Sequence, residues 1–205
     1  MKMFKNSKSQ RTVWLRRLLG EEKGVAALEF AIIAPLLMVL FLGAVAFSQA
    51  LTMDRRVTLT ASSLADLVTQ ADQVSFTDPV TQADQVSTAD LDDIMLLGDQ
   101  LMQTSMVANY DPTKLIVKMA QVTTDANGNT TVDWSYDKSG GTPYASGSSY
   151  PGLPASLAQP NMSIVATEVS YDFEPIIGHF LTGPINLEET FYLRPRRSVS
   201  VQKVP

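Results

Sequence analysis

The chain has 205 residues, no cysteine and one histidine, and its net charge of −5 is divided unevenly. Residues 1–24 hold seven Lys or Arg against two Glu, a net of +5, so the remainder carries −10. So acidic a remainder excludes the basic footprint that nucleic-acid binding needs, and the lack of cysteine excludes disulfides and thiolate zinc as supports for it.

A basic leader before an acidic bulk is the positive-inside pattern, which predicts a cytoplasmic leader over residues 1–24 and export of the rest. Trp14, Leu15, Leu18 and Leu19 interleave with Arg16 and Arg17. This fits either a short amphipathic helix on the inner membrane face or a disordered basic tail.

Residues 25–47 follow as an apolar run of 23 residues whose one charge is Glu29. As a helix the run reaches roughly 35 Å, enough for a hydrocarbon core of about 30 Å. Cleavable secretory signals are shorter and end in small residues, whereas no polar break comes here before Ser48. A carboxylate at that depth costs about 2.5–3.5 kcal/mol on insertion scales. Either Glu29 meets a positive partner, or it snorkels to the interface from its place near the helix start. Pro35 removes one backbone donor and predicts a kink, with Gly43 as a second soft point; both residues also suit close helix packing.

Residues 48–68 read as an amphipathic extension of the same helix. Val57, Ala61, Leu64 and Val68 recur at helical spacing with Leu67 beside them, while Arg55, Arg56, Thr60 and Asp66 take other faces. Residues 69–205 are read as the exported α+β domain. Val68-Thr-Gln-Ala-Asp-Gln-Val-Ser75 recurs twelve residues later as Val80–Ser87. Two short copies are too few for a solenoid, so they read as a local duplication in a surface connection, with a turn at Asp78-Pro79. A second helix is expected from Thr88, with Asp90, Asp92 and Asp93 in its first turn and Leu91, Ile94, Met95, Leu97, Leu101 and Met102 on its apolar face; it should end before Tyr110.

From Lys114 the period changes to that of strands. Residues 115–122 and 130–136 read as a hairpin around Asp125-Ala-Asn-Gly-Asn129. Residues 138–161, rich in Gly, Ser, Pro and Tyr, form a long loop. Residues 163–173 alternate, with Val165, Thr167, Val169, Tyr171 and Phe173 on one face and Glu168, Ser170 and Asp172 on the other. Residues 189–193 and 197–204 are weaker strands separated at Pro195. The expected class is α+β: a long N-terminal transmembrane and amphipathic helix, a short second helix, and an antiparallel sheet of about four strands.

Gly24-Val-Ala-Ala-Leu-Glu29-Phe30, followed by Ala31-Ile-Ile-Ala-Pro35-Leu-Leu, resembles the N-terminus of type IV pilin-like proteins. More closely it resembles the TadE/TadG-like family of tight-adherence pilus systems. The resemblance covers about residues 20–50. It implies cleavage between Gly24 and Val25 by a membrane prepilin peptidase, a new amine on Val25, and pairing of the Glu29 carboxylate with the amine of a neighbouring subunit. Its implied partners are that peptidase, other pilins, the assembly platform and the inner membrane, with the C-terminal domain in the periplasm. A mature chain beginning with Val, where many pilins begin with Phe or Met, leaves N-methylation open. The length fits a TadE- or TadF-like minor pilin (pseudopilin) better than a main filament subunit.

Weaker signals point to structure. His179 lacks an accompanying nucleophile motif. The Asp125–Asn129 segment resembles a calcium loop but lacks the closing acidic residue, so a turn is expected. Arg194, Arg196 and Arg197 form either a docking patch for an acidic neighbour or a solvated edge. Trp134, Tyr136, Tyr144 and Tyr150 either line a groove or serve packing and loop anchoring. No catalytic residue, metal or cofactor is expected. The rival to the pilin reading is an unprocessed, signal-anchored envelope protein whose exported domain binds a partner.

Overall fold

The computed structural model describes residues 22–70, 83–103, 110–175, 183–196 and 198–205. The leader, the Asp78-Pro79 turn, His179 and Arg197 lie outside them. The chain divides into two units between Ala46 and Phe47.

Helix α1 spans Glu22–Thr69 without interruption and contains Pro35. In the first unit its large apolar side chains, among them Leu28, Phe30, Ile32, Ile33, Leu36 and Phe41, are exposed. This helix is long and apolar enough to cross a membrane, by length and composition.

In the second unit the helix buries one stripe. Val57, Ala61, Leu64 and Val68 lie in the core, joined by Met53 and Ala65. Two expectations need correction. Thr60 is fully buried, because it stands three residues after Val57 and four before Leu64 on the same stripe, whereas Leu67 is 40% exposed. The helix ends with the Gln70 N–H shared between the carbonyls of Asp66 and Leu67.

Strand β1, Ala83–Ser87, leads directly into helix α2, Thr88–Met102. Ser87 is the N-cap: its hydroxyl accepts the Asp90 N–H, and the Asp90 carboxylate accepts the Ser87 N–H. This reciprocal pair satisfies two donors that the helix start leaves open; the Ser87 hydroxyl, 2.7 Å from Asp90 Oδ2, and second the Ser87 N–H hold the Asp90 carboxyl below its usual range. Leu91, Ile94, Met95 and Met102 are buried as expected, but Leu97 is 39% exposed and Gly98 takes the buried position beside α1.

The main sheet is antiparallel in the order β3-β2-β4-β5, built from β2 (Leu115–Thr124), β3 (Thr130–Asp137), β4 (Met162–Phe173) and β5 (Ile185–Leu193). The β2–β3 turn closes because Asp125 Oδ1 accepts the N–H groups of Asn127 and Asn129, both at 2.8 Å, while Gly128 supplies φ = 86°. One face of the sheet, through Val117, Met119, Trp134, Val165, Val169, Tyr171 and Phe173, joins the α1 and α2 stripes in one core.

The other face is not left to solvent. Ala120, Val122, Val132 and Ala166 form a second, smaller core with Tyr150, and Tyr144 and Leu153 pack against it from the loop of residues 138–161. Strand β6, Ser200–Val204, does not join the main sheet. It pairs in parallel with β1, Ala83 opposite Ser200 through Ser87 opposite Val204. The second repeat copy is therefore more than a surface connection: Val86 is fully buried and Ser87 caps a helix.

Candidate functional site

Gly24, Val25, Glu29 and Phe30 fall in the opening turns of α1. Glu29 lies one turn beyond Val25, so the two share a helix face. Its side chain is exposed between Leu28 and Phe30, which are 63% and 68% exposed. Among the described residues the ion pairs are Lys114–Glu174, Lys118–Glu168, Lys138–Asp99 and Arg196–Asp66; Glu29 enters none of these. Pro35, lacking an N–H, leaves the Ala31 carbonyl without its helical donor. At Gly43 nothing lies within 4 Å of where a Cβ would stand, so a neighbouring helix has room to approach there.

In the second unit the polar side chains are spent on structure. Tyr144 and Tyr150 both donate to Glu168 Oε1, and Lys118 Nζ lies 3.8 Å from Oε2. Burial first, then the hydrogen bond to Glu168, pushes both tyrosine hydroxyls well above their usual range. Glu168 therefore fastens the long loop to the sheet. Tyr110 stacks on Tyr171 at 5.6 Å and donates to Asp99, which also receives Lys138 Nζ; this ties α2 to the strands. Burial, with the Asp99 contact second, raises the Tyr110 hydroxyl strongly.

The four aromatic side chains singled out in the sequence do not share a groove. Trp134 and Tyr136 belong to the helix-side core, and Tyr144 and Tyr150 to the opposite face. The arginine cluster is divided as well. Arg196 pairs with Asp66 at 2.8 Å, and Arg194 donates to Gln159 at 3.1 Å. A cavity of about 450 Å³ lies beside β6, lined by Thr123, Asp133 and Trp134 among others. No group of three or more metal-ligating side chains is gathered among the described residues.

Residues 24–66 match the family model described as TadE-like protein. Over this segment the chain is similar to TadE-like proteins. The match begins at Gly24, contains Glu29, Phe30, Pro35 and Gly43, and stops three residues short of the end of α1. No curated protein and no solved structure matches the chain. The TadE-like segment supports a tight-adherence pilus-associated protein, and its apolar helix is suited to anchor the chain in a membrane.

Three features that matter for the α+β unit escaped the sequence reading. Gly98 and Gln121 were not singled out in the sequence, and Glu168 was placed only on the face of β4 opposite Val165 and Tyr171. Each is placed by tertiary contact. The readable signal for Glu168 was the tyrosine content of a loop that had to lie on something apolar.

Proposed function

We propose that the protein is a minor pilin (pseudopilin) precursor of a tight-adherence pilus, cut between Gly24 and Val25 by a prepilin peptidase on the cytoplasmic side of the inner membrane. Its role is structural and not enzymatic. The exported α+β unit faces the periplasm, and the TadE-like helix packs with other pilins at the assembly platform. The observation that carries this reading is Glu29, an exposed carboxylate one turn beyond Val25 on a membrane-length apolar helix whose family match opens at Gly24.

Cleavage would place an ammonium on Val25. A neighbour's ammonium and the Glu29 carboxylate, each costly alone in a low-dielectric core, compensate one another when paired. The pairing geometry would help fix the axial register of adjacent subunits. Gly24 suits the cleavage site because it puts no side chain into a protease cleft.

N-terminal sequencing or intact-mass measurement of the chain from cells with an active prepilin peptidase tests the proposal. A chain beginning at Val25 is expected. Persistence of Met1 would overturn processing and favour the unprocessed, signal-anchored envelope protein.

A further inference from the structure

The cavity beside β6 begins at an irregularity of the sheet. Gln121 of β2 stands opposite Trp134 of β3, but Val122 stands opposite Val132, so Asp133 is an extra residue in β3. A bulge of this kind re-aims the side chain it carries. Asp133 is exposed to the cavity of about 450 Å³, which it lines with Thr123, Trp134, Ser200, Gln202 and Lys203.

One group beside this wall is unsatisfied. Gln121 is fully buried. Its Oε1 accepts the Val201 N–H at 3.2 Å, while its Nε2 has no hydrogen-bond partner. A buried donor left unmet is costly, so it calls for an acceptor. The Gln121 side chain also acts on the Asp133 carboxyl, which places the open donor at the Asp133 end of the cavity.

We propose that this cavity binds a neutral polyhydroxylated ligand, a sugar ring, through Asp133, Gln121 and Lys203. The lining carries one charge of each sign. Asp133 enters none of the ion pairs formed among the described residues, and Lys203 Nζ stands 4.6 Å over the Tyr136 ring. An anion would be opposed by Asp133 and a cation by Lys203. An apolar ligand would leave both, and Gln121 Nε2, without partners. A hydroxyl both donates and accepts. One hydroxyl can give its proton to Asp133 and accept from Gln121 Nε2, and a neighbouring one can accept from Lys203.

The remaining groups hold the site. The Thr123 hydroxyl donates to Asp133 Oδ2 at 2.5 Å and lies 2.8 Å from Ser163 Oγ, which fixes the carboxylate. Trp134 gives its indole N–H to the Val201 carbonyl, so its side chain offers a ligand only its ring. A peptide is also neutral and carries both donors and acceptors, but the strand edges here are taken. The Val201 N–H and carbonyl are bonded to Gln121 and Trp134, and the Val132 N–H and carbonyl to Ser148 and Gly147, both at 2.8 Å. An added strand would find no ladder partners at these residues. The volume falls within the range of about 300–1,000 Å³ usual for small-molecule sites.

The test uses the full-length chain with Trp14→Phe, so that Trp134 is its one tryptophan, in a detergent without a sugar headgroup. Glucose, galactose, N-acetylglucosamine and the tripeptide Gly-Asn-Gly are titrated separately, with fluorescence and calorimetry read on the same samples. At least one of the three sugars is expected to bind saturably in the millimolar range. Asp133→Asn should weaken that binding about tenfold, as loss of a hydrogen bond to a charged group does. Lys203→Met, which leaves Asp133 and Thr123 in place, should weaken it several-fold and carries the test if the Asp133 variant does not fold. Circular dichroism checks the fold of each variant. No saturable binding of any sugar by either readout would mean that the cavity holds only water and overturns the proposal. Sugar binding that the folded variants leave unchanged, or binding of the tripeptide alone, overturns it as well.

Discussion

A Cβ placed on Gly98 of α2 would stand 3.2 Å from Leu64 Cδ1 of α1, and the next nearest atoms, on Thr60 and Val117, lie at 3.9 Å. The two helices approach closely at this point because one contributes no side chain. Gly98→Ala should gain about 1 kcal/mol of helix propensity and lose a similar amount to crowding of the fully buried Leu64, leaving the urea midpoint nearly unchanged. Gly98→Leu cannot be absorbed and should lower stability by about 1–3 kcal/mol. A Gly98→Leu variant as stable as the parent would show that the helices separate there at no cost.

Trp134 decides how β6 is held. Its indole donates to the Val201 carbonyl, and Gln121, fully buried, receives the Val201 N–H. Trp134→Phe keeps most of the apolar contact but strands a carbonyl, which should cost about 1–3 kcal/mol. Gln121→Leu should strand the N–H at comparable cost. Urea unfolding monitored by circular dichroism gives the values. A loss below a few tenths of a kcal/mol in both would mean that water replaces these partners.

Local patterns made much of this fold legible. The helix from residue 22 to 69, the hairpin around Asp125–Asn129 and the alternation of β4 are written in periodicity and turn chemistry, which depend on near neighbours. What escaped depends on distant ones. β1 could not be read from Ala-Asp-Gln-Val-Ser, because its strand character comes from β6, more than a hundred residues away. Thr60 looked polar and proved buried because the stripe on α1 is wider than its apolar residues alone suggest. In the TadE-like segment the reading rested on residue types at fixed spacing, which is what Gly24 and Glu29 offer. The structure adds their place on one helix.

The paired tyrosines should make the fold sensitive to alkali. Tyr144 and Tyr150 are raised in the folded state, by burial first and by Glu168 second. A raised group gives stability that is complete below its unfolded value, about 10 for tyrosine, and is lost as pH rises toward the folded value. Stability should therefore fall above about pH 10, by up to about 1.4 kcal/mol per pH unit for each tyrosine. Tyr150→Phe should make that decline shallower. Glu168→Gln should do so only in part, since burial remains. Urea midpoints between pH 8 and about 11.5 measure the slopes; identical slopes in parent and Tyr150→Phe would remove Tyr150 from the account.

Glu29 separates an anchor from an assembly element. If its carboxylate meets the Val25 ammonium of a neighbour, Glu29→Ala should still be cut after Gly24 but should fail to support piliation, whereas Gly24→Val should block the cut itself. Glu29→Lys sharpens the test. A lysine snorkels from this depth at least as well as a glutamate, so a carboxylate that merely reached the interface would be replaceable by it. A pairing carboxylate would not be, because a lysine side chain in its place would repel the ammonium it has to meet. Processing is read by mass and piliation by electron microscopy of the same cells. Normal pili in the Glu29→Lys strain would leave the acidic residue with no assembly role, and Glu29→Ala should then be normal as well.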